Sequence, residues 1–167
     1  DFNRKSLNLH HGINITDEFM LAVQDDLPFA LRSPKDGSPL KSVSARKLWQ
    51  KILELRLQTG EPYIIFSDTV NKQMPKHQRE LGLKVRQSNL CSEIMLHTGM
   101  DHNGKERTAV CCLSSLNAET FLEWEKEELF LEDIFRFLDN VLEDFIQRAP
   151  PEMERAIYAA YRERSVG

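Results

Sequence analysis

"ARKLWQKILELRLQTGEPYIIF", residues 45–66, places a helical pattern directly before a strand pattern. Its apolar residues recur at helical spacing until Gly60, which predicts a helix that Ser44 caps and Gly60 ends. The following "YIIF", residues 63–66, predicts a short strand. A helix that enters a strand through a short glycine-containing turn is typical of α/β architecture.

Upstream of this unit, "SLNLHHGINI", residues 6–15, alternates in the way of a strand that is buried on at least one face. The positions that share this alternation are Leu7, Leu9, Ile13 and Ile15, with His11 between them. Thr16 is then predicted to cap a short helix whose apolar side carries Phe19, Met20 and Val23.

Three further segments have weaker patterns. Residues 25–42 contain three prolines, a glycine and several charges, which predicts a surface loop. Residues 67–85 are polar, and we expect them to be irregular. Asn103-Gly104 predicts a turn between two extended runs, and residues 109–116 form a candidate strand that would bring Cys111 back near Cys91.

The last third of the chain predicts two helices. The first has a wide apolar stripe made of Phe130, Ile134, Phe137, Leu138, Val141, Leu142 and Phe145. Pro150-Pro151 is predicted to end it, and "EMERAIYAAYRER", residues 152–164, predicts the second helix.

The polar run "RQSNLCSEI", residues 86–94, carries the strongest candidate for chemistry. In an extended segment Asn89, Cys91 and Glu93 would share one face, with successive side chains about 7 Å apart. A thiol between an amide and a carboxyl group suits chemistry on a small polar molecule. The alternative is a half-exposed segment with one buried cysteine that behaves as a small hydrophobic residue.

Composition excludes several classes of protein. The 167 residues include 41% hydrophobic and 29% charged residues, which is typical of one soluble globular domain. The net charge of −4 offers no overall positive field for nucleic acid or an anionic membrane surface. Three cysteines are an odd number, which favours a reducing, cytoplasmic compartment over a disulfide framework.

The remaining cysteines have several interpretations. Cys111 and Cys112 are adjacent, so in a strand only one of them could face Cys91, and either a Cys91–Cys111 disulfide or two buried thiols fits the sequence. A metal site would add His97 and His102 to the cysteines. Their spacing matches none of the paired-ligand patterns of zinc sites, so we predict no metal in this chain.

"VRQSNLCSEI", followed by "TAVCCLSSLN", resembles the large catalytic subunit of class I ribonucleotide reductase. The upstream segment "ARKLWQKILELRLQTGEPYIIFSDTVNKQ" is similar to the helix and strand before the active-site loop of that family, and "RERSVG" is similar to the approach to a glycine-rich strand. The resemblance implies an α/β fold: part of a ten-stranded α/β barrel with a finger loop at about residues 86–98. Residues 1–167 would be a central piece of the catalytic barrel domain, with no separate second domain.

The resemblance also implies roles for single residues. Cys91 would form the thiyl radical that removes the 3′ hydrogen atom of a ribonucleotide, and Glu93 would be the general base at the 3′ hydroxyl group. Asn89 would hold the ribose hydroxyl groups, and Leu90 would line the substrate site with Asn89 and Glu93. Cys111 matches one of two cysteines that reduce the substrate by forming a disulfide, while its partner lies before residue 1 in the family.

Partners follow from the same resemblance. They are a ribonucleoside diphosphate substrate, a radical-generating small subunit with a diiron or related metal cofactor, thioredoxin or glutaredoxin, and the rest of the large subunit, which would form a homodimer. No cofactor is expected in this chain, and the isolated 167 residues are expected to be inactive.

Two alternatives stay open. A non-catalytic α/β module that binds a protein partner would have buried, inert cysteines. Within the family, adenosylcobalamin-dependent class II enzymes share the thiyl chemistry, although the N-L-C-x-E-I form favours class I. The reductase interpretation predicts exposed apolar helix faces and an unpaired sheet edge, because neighbouring strands would be missing.

Overall fold

The computed structural model describes residues 9–167. The chain divides into two compact units. The first contains the described residues up to Arg79 together with Val85–Met95, and the second contains Glu80–Lys84 together with Leu96–Gly167. A single domain over residues 1–167 stays a prediction.

The first unit is built around two parallel strands. Its elements, in chain order, are β1 (Gly12–Ile15), α1 (Asp17–Gln24), β2 (Pro28–Arg32), β3 (Pro39–Ser44), α2 (Ala45–Thr59), β4 (Tyr63–Phe66) and α3 (Ser67–Gln73), with α4 (Lys76–Glu80) at the boundary between the units. β1 pairs with β4 in parallel, from Gly12 opposite Tyr63 to Ile15 opposite Phe66. The strand predicted over residues 6–15 is confirmed at Gly12–Ile15, whereas residues 9–11 are not in a strand. Leu7 lies outside the described residues.

Local capping signals mark the start of α1 and both ends of α2. The Thr16 hydroxyl oxygen accepts a hydrogen bond from Phe19 N (3.2 Å), and Ser44 Oγ accepts one from Lys47 N (3.3 Å). Gly60 ends α2 in the left-handed conformation, at φ +78°, which an L side chain rarely adopts. The helix starts predicted at Thr16 and Ser44 and the end predicted at Gly60 are confirmed.

One face of the β1–β4 pair packs on the helices. The buried residues of this core are Ile15, Phe19, Ala22 and Ala45, and the partly buried residues around them include Ile13, Phe29, Trp49 and Ile64. Phe19 is central, because its ring meets those of Phe29 and Trp49 edge to face, with centroids 5.1 and 6.4 Å apart. The core thus fixes α1, α2 and the β2–β3 hairpin on one side of the sheet.

Two loop predictions in this unit are wrong. Residues 28–44 form an antiparallel hairpin. Two of its three prolines, Pro28 and Pro39, are the first residues of their strands, where a missing N–H costs no ladder bond, and Pro34 lies in the connecting turn. Residues 67–80 are helical, interrupted at Pro75. α3 buries no residue, so it lacks the apolar periodicity that would have revealed it.

The second unit consists of a small hairpin and three helices. Its elements are β5 (Gly99–Met100), β6 (Glu106–Arg107), α5 (Phe121–Trp124), α6 (Phe130–Arg148) and α7 (Glu154–Glu163), with single 3₁₀ turns at Ala118–Thr120 and Pro151–Met153. Asn103-Gly104 lies in the turn between β5 and β6, as predicted, and both helices of the last third are confirmed.

The predicted strand at residues 109–116 is wrong. Among the described residues this segment makes one isolated parallel bridge, from Cys112 to Val166. Cys112 N donates to Ser165 O (3.1 Å), and Gly167 N donates to Cys112 O (2.9 Å). The segment therefore follows the chain that leaves α7, a long-range pairing that the local sequence does not encode.

α6 carries more apolar surface than its unit buries. Leu138 and Leu142 are buried, at 4% and 2% exposure, whereas Phe135 and Phe137 are 54% and 64% exposed. This agrees with the exposed apolar helix faces that the reductase interpretation predicts.

A buried ion-pair network joins the β5–β6 hairpin to α7. Arg107 donates from Nε and Nη2 to Asp101 Oδ2 (2.9 and 2.7 Å) and from Nη1 to Glu163 Oε1 (2.8 Å). Tyr158 also donates to Asp101 Oδ2 (2.9 Å). Desolvation by burial would raise the pKa of Asp101, but the hydrogen bonds from Lys105 N, Arg107 and Tyr158 together outweigh it and hold this pKa below its ordinary value.

Removing the cation of this network should destabilise the second unit. Arg107→Met leaves the Asp101 carboxylate buried without its main partner, so the free energy of unfolding should fall by about 3–5 kcal/mol. Urea unfolding followed by circular dichroism measures the change. Arg148→Met, which removes an exposed pair with Asp144 on α6, is the matched control and should have little effect. Equal effects of the two substitutions would contradict a buried network.

Acid should reduce the contribution of Asp101. Its pKa is lower in the folded than in the unfolded state, so its stabilisation is complete above the ordinary value of 3.8 and is lost as the pH falls below it. Asp101→Asn should therefore destabilise the chain more at pH 7 than at about pH 3. Urea unfolding of both proteins at the two pH values measures this, and an equal difference at both would refute it.

Candidate active site

Residues 83–98 contain no helix or strand and include the predicted finger loop. Within it, Ser92 N donates to Asn89 O (3.2 Å), which closes a tight turn over residues 89–92. Ser92 adopts a left-handed conformation, φ +66°. The prediction of an extended segment is wrong here, since Cys91 occupies a turn and does not alternate with its neighbours along a strand.

The turn brings the predicted amide and carboxyl group together. Asn89 Nδ2 donates to Glu93 Oε1 at 2.6 Å. Asn89 Oδ1 accepts from Ile94 N (3.1 Å), and Asn89 N donates to Ile94 O (3.3 Å). Asn89 is thus the residue around which the tip folds, and it orients the Glu93 carboxylate.

The Cys91 thiol is exposed and free in this chain. Glu93 is exposed as well, and Leu90 is 63% exposed. The alternative of a buried Cys91 that behaves as a small hydrophobic residue is therefore not supported in the described part of the chain. The exposure leaves the sulfur accessible to a ligand from the solvent side.

A polar cavity of about 260 Å³ separates the loop from the strands. It is lined by His10, Gly12 and Tyr63 from the sheet side and by Asn89, Leu90 and Ser92 from the loop. Two of the predicted substrate-binding residues, Asn89 and Leu90, thus line one cavity. Its position on the face of the β1–β4 pair opposite the apolar core makes it the candidate ligand site of this unit.

A carboxylate–histidine cluster lies at the strand side of this cavity. Glu61 contacts His10 Nδ1 at 2.9 Å and His11 Nδ1 at 3.2 Å. The side-chain hydrogen bond with His11, together with a backbone hydrogen bond from His11 and the attraction of both histidines, holds the pKa of Glu61 below its ordinary value. The sequence interpretation gave these residues no role, and Glu61 lies 50 positions away from His11 in the chain.

Residues 85–86, which lead into the loop, are held by two asparagines that the sequence interpretation also missed. Asn71 on α3 donates from Nδ2 to Val85 O (2.9 Å) and accepts from Val85 N at Oδ1 (3.0 Å). Asn14 on β1 donates from Nδ2 to Arg86 O (2.8 Å). No short-range pattern marks either residue, because both contacts join distant parts of the chain.

Cys111 lies in the second unit. It is partly buried, its Sγ lies 3.7 Å from Cys112 O, and a Cβ at Gly167 would lie 3.7 Å from this sulfur. Cys91 belongs to the first unit, so the predicted approach of Cys111 to Cys91 stays a prediction.

The histidines of the metal alternative, His97 and His102, belong to the second unit. His97 is buried in the second unit, and its Nδ1 lies 3.0 Å from Lys84 N and 2.8 Å from Lys84 O. Residues 9–167 contain no cluster of three or more His, Cys, Asp or Glu side chains arranged to hold a metal ion. No helix within the same residues is long and apolar enough to cross a membrane.

Comparison with known proteins gives a consistent result. Residues 3–167 match the family model described as the barrel domain of ribonucleotide reductase. The putative ribonucleoside-diphosphate reductase large subunit of Frog virus 3 is 49% identical over 170 residues, covering all of this chain and 29% of that protein. The large subunit of Invertebrate iridescent virus 3 is 36% identical, covering all of this chain and 34% of that protein.

A solved structure agrees with the sequence relatives. The Actinobacillus ureae class Id ribonucleotide reductase alpha subunit superposes with a TM-score of 0.74 at 30% identity, over 95% of this chain and 27% of that one. The chain thus spans about a third or less of the proteins it matches.

The three thiols should differ in reactivity. Cys91 is exposed whereas Cys111 and Cys112 are partly buried, so limiting iodoacetamide should alkylate Cys91 first in the folded chain. Mass spectrometry of the digested protein measures the rate at each cysteine. The same reaction in urea is the control, where the rates should converge. Faster labelling of either other cysteine in the folded chain would contradict the exposed turn.

Proposed function

Because the chain belongs to the ribonucleotide reductase barrel-domain family, we propose that it is the part of a ribonucleoside-diphosphate reductase large subunit that acts on the ribose. The observation that carries this proposal is the pairing of the Asn89 amide with the Glu93 carboxylate at 2.6 Å, in the turn that exposes the Cys91 thiol. The chain forms part of the family's α/β barrel, and the barrel is not closed within the described residues 9–167.

The proposed reaction begins at Cys91. A sulfur radical at this residue removes the hydrogen atom from C3′ of the bound ribonucleotide, which leaves a thiol on the protein and a carbon radical on the sugar. Glu93 accepts the proton of the 3′ hydroxyl group and passes it to the 2′ hydroxyl group, which leaves as water. Asn89 is suited to assist, because its amide fixes the carboxylate and the residue lines the adjacent cavity.

Reduction of the sugar radical requires two electrons and two protons. We assign them to a pair of thiols that become a disulfide, with Cys111 as one member. The second thiol belongs to a part of the subunit that precedes this chain in the family. The hydrogen atom on Cys91 then returns to C3′, which regenerates the sulfur radical. Thioredoxin or glutaredoxin would reduce the disulfide after each turnover.

The remaining partners complete the proposal. A small subunit with a diiron or related metal cofactor supplies the radical, and the full-length large subunit acts as a homodimer in the cytoplasm. Adenosylcobalamin could serve as the radical source in a class II enzyme, but the relatives named above are ribonucleoside-diphosphate reductase large subunits and a class Id alpha subunit.

The non-catalytic alternative is not favoured. It requires buried, inert cysteines, whereas Cys91 is exposed beside a polar cavity. Both viral relatives are named as reductase subunits, and each aligns with the whole of this chain.

Replacing the central thiol tests the proposed function. Cys91→Ser in the full-length enzyme should abolish deoxyribonucleotide formation, because a hydroxyl group does not replace the S–H in hydrogen-atom exchange. Nucleotide binding should stay nearly unchanged, since serine is close to cysteine in size and the substitution leaves the cavity residues Asn89 and Leu90 in place. Product formation from a ribonucleoside diphosphate, with small subunit and reductant present, and equilibrium binding measure the two properties.

Cys112→Ser is the matched control, because this residue has no proposed role in the reaction. It should retain turnover. Measurable reduction by the Cys91→Ser enzyme would refute the proposed function, as would an inactive wild-type enzyme under conditions where nucleotide and both subunits are bound.

A further inference from the structure

The Asn71 side chain pairs with the backbone of the finger loop as a neighbouring strand would. Its Nδ2 donates to Val85 O (2.9 Å) while its Oδ1 accepts from Val85 N (3.0 Å), so one amide satisfies both polar groups of one residue. The second Nδ2 hydrogen is directed to Ser67 O (2.8 Å), one turn earlier in α3. A hydrogen bond within its own helix therefore fixes the orientation of the amide that holds the loop.

Asn14 holds the next residue of the loop from a different element. Its Nδ2 donates to Arg86 O at 2.8 Å. Asn14 lies on β1 opposite Ile65 of β4, and the cavity is lined by both residues. Consecutive loop residues, Val85 and Arg86, are thus attached to α3 and to the sheet.

α3 is itself attached to the end of β1. Ser67 Oγ donates to Ile15 O (3.2 Å), and Asp17 N donates to Asp68 Oδ2 (2.7 Å). Both asparagines therefore attach the loop to the β1–β4 pair, Asn14 directly and Asn71 through α3. The hydrogen bonds of the tip, in contrast, run between residues 88 and 94 and set its internal shape without setting its direction.

We propose that Asn71 and Asn14 are positioning residues, which hold residues 85–86 so that Cys91, Asn89 and Glu93 face the ribose. This inference rests on the proposed function. Neither asparagine reacts with substrate in this scheme. Because only three residues separate Val85 from Asn89, a shift of residues 85–86 displaces the tip of the loop by a similar distance. A misplacement of about 1 Å can reduce the rate by about a hundredfold.

The test uses near-isosteric substitutions in the full-length enzyme with its small subunit. Asn71→Asp keeps the acceptor for Val85 N but turns a carboxylate oxygen towards Val85 O, and Asn14→Asp does the same at Arg86 O. Asn140→Asp, on an exposed position of α6, makes the same chemical change away from the loop. Asn71→Ala and Asn14→Ala are uncharged second variants, so that a folding defect caused by the new carboxylate does not decide the result.

For each asparagine we expect kcat per nucleotide-binding site to fall about tenfold or more. For the Asn71 variants KM should stay within about threefold, because Asn71 does not line the cavity. Asn140→Asp should match the wild type. A purely structural role would instead lower the number of binding sites and leave kcat per site unchanged, and that result would overturn the inference. So would an increase in KM alone, or a kcat within about twofold of the wild type in both variants of a residue.

The two proposals fail in different ways. An inactive wild-type enzyme, or an active Cys91→Ser enzyme, contradicts the proposed function. Wild-type activity that is lost in Cys91→Ser but kept in the asparagine variants leaves the function standing and refutes the positioning roles.

Discussion

The parallel pairing of β1 with β4 is the constraint from which the first unit follows. Strands in a parallel sheet are normally covered on both faces, and this pair is covered differently on each. Ile13, Ile15 and Ile64 turn to the apolar core with α1 and α2. The other face, at Gly12, Asn14 and Tyr63, borders the polar cavity and the finger loop. Because side chains alternate along these strands, one face of the pair stabilises the fold and the other face is available for chemistry.

The loop has no strand partner of its own, so side chains replace one. In a sheet, each residue's N–H and C=O would pair with the next strand. Here Asn71 supplies both groups for Val85, and Asn14 supplies a donor for Arg86. This arrangement fixes the base of the loop at two points and leaves its tip free to adopt a turn, which a continuous ladder would prevent.

How much the sequence predicts depends on the range of the interaction. Thr16, Ser44 and Gly60 were recognised because a cap acts within three or four residues of its own position. The pairing of Cys112 with Val166 was not, since the two residues are 54 positions apart and nothing in residues 109–116 distinguishes it from an ordinary strand. The Asn71–Val85 contact was missed for the same reason, at a separation of 14.

The candidate site was predicted by residue type but not by geometry. Period-two alternation placed Asn89, Cys91 and Glu93 on one face, whereas the turn that forms has a non-glycine residue, Ser92, at positive φ. No propensity would select that conformation at this position. The grouping of amide and carboxylate nevertheless survives, because a turn brings residues four apart closer together than a strand does.

The turn has a chemical consequence that the extended arrangement would lack. In a strand, Asn89 and Glu93 would flank the thiol at about 7 Å on either side and act separately. In the turn, the amide donates directly to the carboxylate and orients it, while the sulfur stays outside their hydrogen bond. A sulfur radical must be kept from water, and within residues 9–167 Cys91 is exposed. The proposed chemistry therefore requires the bound nucleotide and further parts of a subunit to close over the turn, which makes the direction of the loop as important as its composition.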